Sequence, residues 1–125
     1  MPEEPLTPVA SERQLRWVLS ALTFGQKALA KVRDAEVSAK HLFERARRAA
    51  ILSAECPKVS RDGYSAAERD AWCDERCCAE REVYEVAKAT REAAEDHLRT
   101  LREQAMVMSQ LNRSVITAYS MAGGG

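Results

Sequence analysis

At 125 residues, with 46% hydrophobic and 30% charged side chains, the chain has the length of one domain and the composition of a globular or coiled-coil protein rather than a disordered one. Its 19 basic and 19 acidic residues cancel, which excludes a bulk electrostatic pull toward nucleic acid or anionic lipid. Only 6% of residues are aromatic and β-branched residues are scarce, so strands have little to be built from and an all-α fold is expected.

Residues 1–10 carry Pro2, Pro5 and Pro8 and read as an extended proline-rich arm. They lack the basic and apolar regions of a signal peptide, and no later stretch has the length and purity of a membrane span. A cytoplasmic protein with four reduced cysteines is the expectation.

Ser11-Glu12-Arg13-Gln14 has the form of a capping box, so the first helix is placed at 11–55. Its apolar positions are Leu15, Val18, Leu22, Leu29, Val32, Ala39, Phe43, Ala46 and Ala50, a three-and-four spacing whose two defects are Gly25 and Glu36. Gly25 costs about 1 kcal/mol inside a helix, so it marks either a mild kink or a close contact.

The one internal interruption is the turn at 56–64, which holds Pro57 and Gly63. Ser65-Ala66-Ala67-Glu68 is a second capping box and opens a helix at 65–122, followed by a flexible glycine tail at 123–125. The two helices would span roughly 65 and 85 Å, lengths suited to a long antiparallel, coiled-coil-like hairpin completed by oligomerisation. A hidden break giving a compact three-helix bundle is the alternative.

A turn centred near Val59 to Arg61 pairs residues whose numbers total about 120, setting Leu15 near Ala105 and Leu22 near Leu98. The end of the second helix, from about Val107 to Ala122, then has no partner within the hairpin. It carries a single charge, Arg113. Met108, Leu111, Val115, Ile116 and Tyr119 are therefore the candidate interface, and a homodimer or higher assembly is the expected partner, with a second protein as a further one. Trp17, Leu19, Leu42 and Tyr84 are candidates for a second apolar face.

Cys73 and Cys77 share a helix face and form a weak metal-ligand pair, for which two further ligands are missing. A bond from Cys56 to Cys73 would require the loop to retrace roughly 12 Å of helix. Buried thiols packed as small apolar groups are the expectation, with no metal and no cofactor. Arg45, Arg47, Arg48, Lys58 and Arg61 make the densest basic region and the candidate nucleic-acid contact, diluted by Glu44, Glu55 and Asp62. No nucleophile elbow, phosphate-binding glycine loop or metalloprotease motif is present, so a non-enzymatic interaction protein is expected.

Cys56-Pro57-Lys58-Val59, Glu68 to Trp72, Arg91 to Arg102 and Ser114 to Tyr119 resemble segments of small, uncharacterised α-helical proteins encoded by phages of actinobacteria. The resemblance lies mainly in the second half of the chain. It implies a phage context and the host cytoplasm, and it carries over no activity and no site residues. Secreted helical hairpins of type VII systems have a similar length, but their Trp-x-Gly turn is missing: Trp72 is followed by Cys73.

Overall fold

The computed structural model describes residues 7–123. Within them lie three helices and no strand: α1 (Pro8–Ile51), α2 (Ala66–Arg76) and α3 (Cys78–Gly123). The all-α expectation holds. No helix among the described residues is long and apolar enough to cross a membrane.

α1 starts at Pro8, three residues ahead of the expected start. Thr7 is the reason. Its Oγ1 accepts from the Ala10 N–H at 3.1 Å and its carbonyl from the Ser11 N–H at 2.9 Å, while Pro8 occupies the first helical position, where an N–H would have no helical acceptor. Residues 8–10 thus belong to α1 rather than to an extended arm; Pro2 and Pro5 lie outside the described residues. Ser11, expected as the cap, is inside the first turn and buried.

α1 also stops early, at Ile51 instead of residue 55. Ser53 draws the chain out of the helix: its N–H reaches back to the Ala50 carbonyl, its Oγ accepts from the Glu55 N–H, and its carbonyl accepts from the Cys56 N–H. Past Pro57 the chain closes on itself, with the Tyr64 N–H on the Lys58 carbonyl and the Ser60 N–H on the Tyr64 carbonyl, both at 3.3 Å. A Cβ on Gly63 would collide with the Ser60 hydroxyl and lie 3.2 Å from the Lys58 carbonyl oxygen, so a larger residue would force the Ser60 side chain to turn and the backbone to give.

The second capping box forms as expected. Ser65 Oγ accepts from the Glu68 N–H at 3.1 Å, and the Ser65 N–H donates to Glu68 Oε1 at 3.4 Å. The long helix expected at 65–122 is nevertheless interrupted at Cys77, whose φ and ψ are −101° and 14°. The interruption is one residue deep, because the Cys77 N–H still bonds the Cys73 carbonyl and the Arg81 N–H the Cys77 carbonyl. α3 runs one residue past the expected end, to Gly123.

The chain divides into two compact units: residues up to Leu29 with those from Ala93 onward, and Ala30–Glu92. In the second unit, Phe43 stacks on Tyr84 with ring centroids 6.1 Å apart, Arg47 pairs with Asp74, and Ala50 packs with Cys56, Cys73 and Cys77. The partners total more than 120 because the segment 52–64 lies back along the start of α2 instead of turning tightly. In the first unit the shift also shows, with Leu98 and Leu101 meeting Gly25 where Leu22 was expected. Gly25 is thus a close contact: a Cβ there would sit 2.8 Å from Leu98 Cδ2.

Glu36, the other defect in the α1 stripe, is matched by Arg91, which donates from Nε to Oε2 at 2.6 Å and from a second nitrogen to Oε1 at 3.3 Å. Only 18% of the Glu36 side chain and 22% of the Arg91 side chain are exposed. The Arg91 hydrogen bonds hold the Glu36 carboxyl below its ordinary range, outweighing the desolvation that pushes it up. A depressed folded-state value gives stability that is present above the unfolded pKa and lost as pH falls through the folded one. Denaturant melts across pH should therefore show Glu36→Gln clearly less stable than the parent at neutral pH, with the gap closing in acid. A gap independent of pH would mean that the carboxylate charge is not what the seam uses.

Candidate functional site

Two regions concentrate chemistry, one in each unit. In the second unit the retracing loop brings Cys56 against Cys73 of α2 and Cys77, the residue that ends that helix. Cys56 Sγ lies 4.0 Å from Cys73 Sγ, and all four cysteines are free thiols. Cys73 and Cys77 are buried almost completely, and Cys56 is 8% exposed. Burial pushes the Cys73 thiol up, with the neighbouring Cys56 adding to the effect, and burial followed by the charge of Glu80 does the same for Cys77. These are therefore protonated, packed thiols. No group of three or more His, Cys, Asp or Glu positioned to hold a metal occurs among the described residues.

The expected obstacle to a Cys56–Cys73 approach, the need for the loop to retrace the helix, is overturned. The loop does retrace it, because Ser53 ends α1 early and the Ser53 to Cys56 turn aims the chain back. Beside it opens a recess of about 610 Å³, lined by Glu55, Cys56, Lys58, Tyr64, Glu68 and Trp72 among others. Its two carboxylates are committed elsewhere: Glu68 to the capping box, and Glu55 to Arg76 at 2.7 Å, with the Arg76 guanidinium 5.0 Å over the Trp72 ring.

The basic candidates do not share one role. Arg47 is held by Asp74, whereas Arg45, Arg48, Lys58 and Arg61 are exposed. Lys40 and Glu44 form an exposed pair one turn away.

In the first unit the expected interface residues separate into two groups. Val115 is buried and packs within the chain, while Met108 and Leu111 are half-buried. Starting α1 at Pro8 and shifting its register leaves a shorter end of α3 uncovered than expected. Ile116 and Tyr119 remain about half exposed there, with Met121 at 79%. Trp17 and Leu19 are exposed as anticipated, and Leu42 is exposed in the second unit, while Tyr84 is engaged by Phe43. Phe24, Met106 and Val107 are also exposed. Of these, Phe24 is the one most readily missed, since it stands beside Gly25 and one heptad from Trp17, off the core stripe.

No protein-family model, curated protein or solved structure matches this chain.

Proposed function

We propose that this chain is a non-enzymatic assembly protein: a helical hairpin, with α3 returning antiparallel to α1, that associates with a second copy of itself through its first unit. The observation that carries this reading is the imbalance of apolar surface there. Among the described residues of that unit, Val9, Trp17, Leu19, Phe24, Met106, Val107, Ile116, Tyr119 and Met121 are exposed, against Ala10, Val18, Leu29, Leu98, Leu101 and Val115 buried. Nine large hydrophobic side chains are thus exposed, more than the five that are fully buried. Exposed apolar side chains in this number support a protein interface.

Charge favours a second copy as the occupant. Arg16 is the one charged residue from Gln14 to Gln26, and Arg113 is the one from Gln104 to Gly123. A nearly neutral surface offers little to a strongly acidic or basic partner, and it meets its own copy across a two-fold axis with little like-charge repulsion. The hairpin reading is supported by the falling order of partners along rising α1 numbers: Leu98 at Gly25, Arg91 at Glu36 and Tyr84 at Phe43. The setting we assign, the cytoplasm of a phage-infected cell, rests on the sequence resemblance alone.

Sedimentation or light scattering over a range of concentrations tests the proposal. The parent should be a dimer or larger, and the pair Ile116→Glu and Tyr119→Glu should shift it to the monomer mass, with helical circular dichroism preserved because both side chains are exposed. A parent that stays monomeric at every concentration overturns it. Val115→Glu is the contrasting control: its side chain is buried in the chain, so it should lose helicity as well as mass.

A further inference from the structure

We infer that Cys56 and Cys73 are a thiol pair built to close into a reversible intrachain disulfide by exchange with a low-molecular-weight disulfide, of which oxidised glutathione is the probe. The geometry is specific to this pair. Their sulfurs are 4.0 Å apart, belong to residues 17 apart in sequence, and bridge the retracing loop to α2. Closing to the roughly 2.05 Å of an S–S bond requires a movement of about 2 Å. That movement can come from the loop side, because Cys56 stands in an irregular segment whose neighbours Ala54, Glu55 and Lys58 are exposed. Cys73 and Cys77, one helical turn apart on the same face, have no such freedom.

Access sets the order of events. Cys56 lines the solvent-open recess, whereas Cys73 is sealed beneath it. Cys56, as its thiolate, attacks one sulfur of the small disulfide; that S–S bond breaks, and the departing thiolate takes up the proton Cys56 released. Cys73 then loses its proton to solvent and attacks Cys56 Sγ, expelling the second small thiolate, which is protonated in turn. In balance, two protein thiols lose two electrons and two protons, and one small disulfide becomes two thiols. Because Cys73 is desolvated, ring closure is the slow step and quickens as pH rises. Cys78 is the competitor, being the least buried of the four cysteines, but its Sγ–H donates to Glu82 Oε1 at 3.6 Å and no second thiol is placed to resolve an adduct on it.

The test equilibrates the full chain in glutathione buffers from reducing to oxidising, quenches by alkylation and maps the peptides without reduction. The expected product is a Cys56–Cys73 linked peptide in the monomer, two fewer free thiols, and full reversal by dithiothreitol. Cys73→Ser should instead stop at glutathione bound to Cys56, and Cys78→Ser should leave the intrachain bond unchanged. Three results on the unmutated chain each overturn the inference: glutathione persisting on Cys56 with Cys73 still a thiol, Cys56 remaining unmodified, or Cys78 as the sole site of reaction. All three are read without any variant having to fold. The outcome is also independent of the oligomeric state, so it stands or falls separately from the self-association reading.

Discussion

Leu98→Ala is expected to cost about 2–5 kcal/mol, measured as the free energy of urea unfolding. That is a large share of the total, since domains of this kind hold only about 5–15 kcal/mol. Leu98 is 1% exposed and sits where α1 has no side chain of its own: its Cδ2 fills the place in which a Cβ on Gly25 would stand. The glycine and the leucine should therefore be coupled. Gly25→Ala alone gains about 1 kcal/mol of helix propensity and loses about 1–3 kcal/mol to overpacking, for a net loss near 1 kcal/mol. In the Leu98→Ala background the clash is gone, so Gly25→Ala should turn stabilising and recover part of the deficit. An equal effect of Gly25→Ala in both backgrounds would show that the two positions do not touch.

The same pair shows why the sequence was informative about the seam and less so about its register. A three-and-four spacing from Leu15 to Ala50 specifies which face of α1 is buried, and Gly25 and Glu36 stand out as defects because they break it. What each defect meets depends on how far the loop runs before α2 aligns with α1. That distance is set by Ser53 hydrogen bonds to backbone groups, which leave no periodic trace. The early start has a similar cause, since Thr7-Pro8 is a capping signal hidden within a run of prolines that reads as extended. The interruption at Cys77 carries no proline or glycine at all. It falls where Cys73 and Cys77 are buried against Ala50 and Cys56, a tertiary contact that no local preference encodes. For the proposed interface, the shortage of charge near residues 107–122 was legible, but separating Val115 from Ile116 required the register.

Asn112→Leu is expected to raise the stability of the chain by about 1–3 kcal/mol, which is unusual for a substitution at a partly buried site. Along α3 the seam positions are Leu98, Leu101, Ala105, Met108, Asn112 and Val115, so Asn112 occupies a place otherwise given to apolar or small residues. Its Oδ1 is buried and has no hydrogen-bond partner among the described residues. Two heptads back from Gly25 stands Ser11, and two heptads on from Leu98 stands Asn112. Ser11 is 2% exposed, and its Oγ is likewise buried without a partner. Two polar groups in one apolar seam cost stability, and a leucine removes one of those costs while adding buried apolar area. The expected penalty lies in specificity, because a single polar seam residue restricts register and copy number in helical assemblies. The leucine variant should therefore melt at a higher temperature yet sediment as a broader mixture of species than the parent. A variant that loses stability only at concentrations where the parent associates would instead place Asn112 in contact with the second copy, making it the polar centre of the interface rather than a fault in the seam.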